Sequence, residues 1–200
     1  MSILSLVILI ILQIVNEKHP SIGKAPLIMS VFCIGKVEIP DIDFYFGNGQ
    51  QDFFYQRNDV LTLGIHGLPG YVSPFLCSFN DEPGESPEYG YYHNFQLSKN
   101  TNGKGFRLAF AACISFIRNF KPAYLLVPFS LDNAKGNPAE SRNVSSKDLE
   151  LNGIMIGSLR LPRLIVQEGS YVNRVMGLNA VHFFKGLYEA CYSQTSSMKV

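Results

Sequence analysis

No run of like charge occurs in this sequence. Its 17 Lys and Arg are scattered among 16 Asp and Glu, for a net charge of +1. Nucleic acids and acidic membranes are bound by concentrated basic patches, so the chain carries no electrostatic footprint for either. Paired cysteines are also missing. Cys33, Cys77, Cys113 and Cys191 lie far apart with no Cys-x-x-Cys. The first three sit in apolar surroundings and read as reduced core cysteines rather than disulfide partners. His19, His66, His93 and His182 are not spaced as His-x-x-x-His or His-Glu-x-x-His. A histidine-rich metal site built from this chain alone is therefore not expected.

A membrane-length hydrophobic run is lacking too. Ser2 to Val15 is almost wholly aliphatic, but a spanning helix needs roughly 20 such residues. No Lys or Arg precedes it and no small-residue cleavage site follows it, so it is a poor signal peptide. Three readings stay open: a buried helix or strand, with a cytoplasmic protein; unnatural sequence left by a truncated reading frame; or a membrane tether through residues 2–15.

What is present describes a folded chain. It is 46% hydrophobic and 16% charged over 200 residues, enough for one domain or one piece of a larger one. Three regions are expected: an apolar segment at 1–35, the main domain at 36–190, and a polar tail at 191–200.

Alternation in Lys36–Asp43 predicts a strand, although Pro40 is awkward in a central one. Val60–His66 predicts a second strand. Leu68–Asn102, rich in Gly, Pro, Asn and Tyr, reads as mostly irregular. From Gly105 to Phe120, Phe106, Ala109, Phe110, Cys113, Phe116, Ile117 and Phe120 form one helical stripe. A buried strand follows at Ala123–Phe129. Ser145 and Asp148 then cap a helix. Arg163–Gly169 is another strand, and Asn173–Ala190 a last helix with a weak break at Gly177. Strands alternating with helices predict an α/β fold, a mainly parallel sheet flanked by helices. In such sheets ligands bind beyond the carboxyl ends of the strands. Asp41 and Asp43, Asp132, and the Glu168–Tyr171 stretch all fall at such ends.

Four segments carry a resemblance: "DIDFYFGNGQQDFFY" from Asp41, "DVLTLGIHG" from Asp59, "LLVPFSLDNAKGNP" from Leu125 and "LRLPRLIVQEGSY" from Leu159. In this order and spacing they resemble the zinc-dependent deacetylase family, which includes histone deacetylases and acetylpolyamine amidohydrolases. The resemblance covers about Lys36 to Leu187 and implies an arginase/deacetylase-like sheet. It also implies hydrolysis of an acetyl-amide on a lysine or polyamine nitrogen, with one zinc held by two aspartates and a histidine. The family pattern is Asp-x-Asp-x-His-His-Gly-Asn-Gly. Asp43 and Asp132 match the zinc aspartates, and Tyr45 stands where the zinc histidine belongs. Phe46 replaces the next histidine. Tyr171 matches the oxyanion-stabilising tyrosine. Asp41 matches a ligand of a structural monovalent cation, and Gly64 stands where that site takes a serine hydroxyl.

The family's catalytic histidine pair lies upstream of the Asp-x-Asp strand. Here the residues before Asp43 hold one histidine, His19, and no aspartate before Asp41. The resemblance thus implies the C-terminal half of the domain, N-terminally truncated, with a degenerate metal site and weak or absent zinc. Three functional readings remain. The chain is a catalytically inactive family member. Or it is a non-catalytic module that pairs with itself or with a full-length relative. Or it is a hydrolase releasing acetate from acetylated amines through an unusual site.

Overall fold

The computed structural model of the chain describes residues 7–11, 35–72, 91–135, 143–167 and 173–192. Six strands form one sheet: β1 (Val7–Ile11), β2 (Val37–Asp41), β3 (Val60–Gly67), β4 (Tyr92–Leu97), β5 (Tyr124–Phe129) and β6 (Arg163–Gln167). Their order across the sheet is β1-β6-β5-β2-β3-β4, and every neighbouring pair is parallel. Four helices join them: α1 (Asn48–Phe54), α2 (Gly103–Phe120), α3 (Ser146–Ser158) and α4 (Asn173–Tyr192). The expected parallel α/β sheet flanked by helices is the observed one.

Strands β2, β3, β5 and β6 read as largely apolar on both faces because both faces are covered. Leu61, Leu63, Ile65, Leu125, Val127, Phe129 and Ile165 pack with Phe106, Phe110, Cys113 and Ile117 of α2 and with Ile156 and Phe183 of α3 and α4. On the other face Val37, Ile39, Val60, Leu126, Leu164 and Val166 pack with Phe54 of α1. The helical stripe predicted for α2 is buried as expected, except that Ala109 is half-buried and Phe116 stays 36% exposed. It instead lies against His93, with ring centroids 4.2 Å apart.

Three expectations change. Leu68–Asn102 holds an unexpected strand, because Tyr92–Leu97 pairs with β3 at the edge of the sheet, while residues 73–90 lie outside the described residues. Its inward positions are Tyr92 and Asn94, so it lacks the aliphatic alternation that marks a strand. Pro40 does lie in a central strand. The β2–β5 ladder runs only through Val37 and Glu38 and resumes where Ile42 N–H donates to the Pro128 carbonyl. Residues 38, 40 and 42 present their amides to the same side, so the N–H that proline lacks falls in the gap. Finally, α4 runs through Gly177 without a break.

Helix α3 starts at the predicted capping box: Asp148 N–H donates to Ser145 Oγ, and Ser145 N–H donates to Asp148 Oδ2. Arg107 of α2 also pairs with Asp148. Helices α3 and α4 touch backbone to backbone. A Cβ at Gly186 would collide with the Glu150 carbonyl, and one at Gly153 with the Phe183 carbonyl. Beside this contact the buried Glu150 carboxylate accepts from Lys147, His182 and Lys185. Those donors, Lys147 first, hold its pKa down to about 2.

The aliphatic N-terminal segment contributes β1, paired with β6 from Val7↔Arg163 to Ile11↔Gln167. Among the described residues no helix is long and apolar enough to cross a membrane. Cys113 is a free, fully buried cysteine and Cys191 a free, half-buried one. Cys33, Cys77, His19 and the tail beyond Tyr192 lie outside the described residues.

Candidate functional site at the switch between β2 and β5

From β2 the chain proceeds to β3 and β4 on one side, then returns to β5 and β6 on the other. The sheet order therefore reverses between β2 and β5. Ligands of open α/β sheets bind beyond the carboxyl ends of the strands at such a reversal. Asp41 ends β2, Asp43 lies two residues beyond it, and Asp132 lies just after β5.

The loop leaving β2 is shaped by its own aspartates. Asp43 N–H donates to Asp41 Oδ1 at 3.0 Å, and Tyr45 N–H donates to Asp43 Oδ1 at 2.9 Å. These are two consecutive Asx turns, in which a short carboxylate takes the place of a backbone acceptor. Ile42, Phe44 and Phe46 are buried, while Asp43 and Tyr45 are half-buried. Aspartate and tyrosine are thereby presented together, with the apolar residues between them turned into the core.

Two bonds bring the β5 loop to the same place. Asn133 Nδ2 donates to the Ile42 carbonyl at 2.9 Å, and Ile42 N–H donates to the Pro128 carbonyl at 3.2 Å. Asp132, 3% exposed, has its own N–H on Ser130 Oγ. The structure thus brings Asp41, Asp43, Tyr45 and Asp132 to one end of the sheet. Tyr171 lies outside the described residues.

Asp41 is buried, at 5% exposure. Its Oδ2 accepts from Gln50 Nε2 at 2.8 Å. Desolvation raises its pKa to about 6, opposed by the bonds from Asp43 N–H and Gln50. Gly64 is its register partner on β3. A Cβ there would stand 3.1 Å from the His66 ring and 3.2 Å from Asn94 Oδ1. His66 is buried, with Nδ1 3.0 Å from the Gly67 carbonyl and Nε2 3.1 Å from the Asn94 side chain. The Phe46 ring meets His66 edge-on, with centroids 4.9 Å apart. Both imidazole nitrogens are thus committed inside the protein.

A catalytic zinc takes three protein ligands, drawn from imidazole, thiolate and carboxylate, and leaves a fourth position open. The donors here are two carboxylates and a neutral phenol, and phenol is a poor replacement for imidazole. Among the described residues no three His, Cys, Asp or Glu side chains gather as a ligand set. The donor chemistry does not fit a catalytic zinc.

A histone deacetylase domain model matches residues 25–187. The chain belongs to the histone deacetylase family. It is 36% identical over 152 residues to acetylpolyamine amidohydrolase 2 of Pseudomonas aeruginosa, covering 76% of this chain and 44% of that protein. Similarity to histone deacetylase 15 of Arabidopsis thaliana is 28% over 172 residues, covering 84% of this chain and 31% of that protein. The crystal structure of the acetylpolyamine aminohydrolase of Burkholderia pseudomallei superposes with a TM-score of 0.76 at 32% identity, over 78% of this chain and 46% of that one. The chain thus spans less than half the length of the relatives it matches. The family assignment and the parallel-sheet fold inferred from the four segments are both correct.

Sequence reasoning missed Gln50, Asn133, and the His66–Asn94 pair. Gln50 lies nine residues from Asp41, and its amide is indistinguishable in sequence from any surface glutamine. Asn133 had a signal, since it adjoins a candidate aspartate at a strand end.

Proposed function

We propose that this chain is a catalytically inactive member of the deacetylase family, one that keeps the carboxylate half of the zinc site and has lost the imidazole half. The observation that carries this reading is Tyr45, presented beside Asp43 where the resemblance puts the zinc histidine. Tyr45 could bind metal only as a phenolate, and a phenol with pKa near 10 is almost wholly protonated at neutral pH. Without bound zinc nothing polarises the acyl carbonyl or lowers the pKa of an attacking water. Tyr171, the oxyanion-stabilising position, would then act on an unactivated amide. One oxyanion donor contributes roughly 10²–10³ in rate in other enzymes, far short of the 10⁶-fold or more that enzymes supply.

The acetylated amine, polyamine or lysine, remains the substrate class if the site does turn over. A full-length relative or a second copy remains the partner class if the fold serves as a binding module. Zinc content per folded chain tests the proposal, measured by elemental analysis after dialysis against a mild chelator. Near zero is expected, together with no acetate released from acetylputrescine or an acetyl-lysine peptide. One zinc per chain with acetate release would overturn it and favour the hydrolase.

A further inference from the structure

Asp41 is a carboxylate at 5% exposure in the switch-point crevice. A buried carboxylate needs a cation or hydrogen-bond donors. The family resemblance implies a monovalent cation here, with a hydroxyl from the position of Gly64 as a further ligand. The surroundings of Asp41 do not suit one. Gly64 supplies no side-chain oxygen, and the space a side chain would enter is bounded by His66 and Asn94 Oδ1 at 3.1 and 3.2 Å. Both Asp41 oxygens already accept, Oδ1 from the Asp43 N–H at 3.0 Å and Oδ2 from Gln50 at 2.8 Å.

We propose that the Gln50 side-chain amide has taken the place of the structural cation at Asp41, so that the strand end holds its shape without a bound ion. The proposal rests on the family positions used for the proposed function, but concerns a different ion. Gln50 is 4% exposed and sits in the first turn of α1, whose backbone follows directly from the Asx turns. Its Nε2 directs a partial positive charge at Oδ2 from within the chain itself. Its Oε1 is buried with no hydrogen-bond partner among the described residues. That arrangement makes sense if the amide is oriented by Asp41 alone: turning it over would set two oxygens against each other, at a cost greater than one unpaired carbonyl. Gln50 is therefore a positioning residue, acting through Asp41 on the loop that presents Asp43 and Tyr45.

The test is thermal unfolding of the full chain in KCl, NaCl and tetramethylammonium chloride at matched ionic strength, with wild type and Gln50→Ala side by side. Wild type is expected to melt within about 1 °C in all three salts. Gln50→Ala is expected to melt lower by about 4–10 °C, the shift for losing a hydrogen bond to a charged group in a chain of this size. A saturable stabilisation of wild type by K⁺ or Na⁺ over tetramethylammonium would overturn the proposal. So would a Gln50→Ala variant that melts with wild type. Should the variant fail to fold, the wild-type salt comparison decides alone. Zinc content read on the same samples keeps the two readings separable, since either ion can be found without the other.

Discussion

Asn133 donates its side-chain amide to the Ile42 carbonyl at 2.9 Å, although the two residues stand 91 positions apart. This bond ties the loop carrying Asp132 to the strand end carrying Asp41 and Asp43. It supplies the crossing where the β2–β5 ladder has lapsed beside Pro40. Both partners are buried, so removing the donor strands an acceptor in the interior. Asn133→Ala is expected to destabilise the chain by ~1–3 kcal/mol, read as a lower urea midpoint with unchanged slope. A midpoint equal to wild type would mean that the two loops are held together by other contacts.

Restoring the imidazole tests whether the carboxylates still converge. In Tyr45→His the set becomes two aspartates and a histidine, the number a zinc site needs. Zinc affinity, measured by chelator competition, is expected to rise at least about tenfold over wild type, equivalent to ~1.4 kcal/mol. Equal affinity in the two proteins would place Asp43 and Asp132 too far apart to share an ion.

Glu38 supplies a pH dependence of its own. It is fully buried on β2 between Leu61 and Leu125, and neither carboxylate oxygen has a hydrogen-bond partner among the described residues. Desolvation raises its pKa well above the ordinary 4.5, and burial raises the thiol of Cys113, with Glu38 adding to the effect. The folded state therefore prefers the protonated acid. Its contribution to stability is full below pH 4.5, the unfolded value, and is lost as pH rises through the higher folded value. Unfolding free energy measured from pH 4.5 to 9 should fall for wild type relative to Glu38→Gln, whose amide does not titrate. Parallel pH curves for the two proteins would show that Glu38 finds a partner in solution.

Two glycines of α4 are expected to respond in opposite directions. Gly186 lies against the Glu150 carbonyl of α3, leaving no room for a Cβ. Gly186→Ala should destabilise by at least ~1–3 kcal/mol through overpacking. At Gly177 no atom of the described residues stands within 4 Å of the added carbon, and the helix is continuous. Gly177→Ala should stabilise by ~0.5–1 kcal/mol through helix propensity and a less free unfolded chain. Chemical denaturation of both variants checks the pair, and a common sign would contradict the α3–α4 contact.

Removal of residues 1–15 takes β1 away and leaves the β6 edge unpaired. Exposed edges of parallel strands recruit other chains. A lower melting temperature and concentration-dependent association in sedimentation velocity are expected. A truncated protein as soluble and as stable as wild type would show that β1 protects nothing.

Local physics made much of this protein legible from its residues alone. The α2 stripe follows from a 3.6-residue period, and the α3 start from Ser145 and Asp148, three residues apart. The β2, β3, β5 and β6 segments are short apolar runs bounded by turn formers, and the four segments in order identified the family. These features depend on neighbours in the chain, and neighbours are what a sequence displays. Gly177 misled because an isolated glycine marks a possible helix end without deciding it. Strand β4 was hidden because its buried positions are Tyr92 and Asn94, polar enough to pass for loop. Pro40 could enter a central strand only because a ladder gap lay beside it, a fact held on β5. The Gln50–Asp41 and Asn133–Ile42 bonds, and the unpartnered Glu38, were decided by tertiary structure. Each depends on which groups burial leaves within 3 Å of a buried carboxylate or carbonyl, and the folded arrangement of distant segments alone sets that distance.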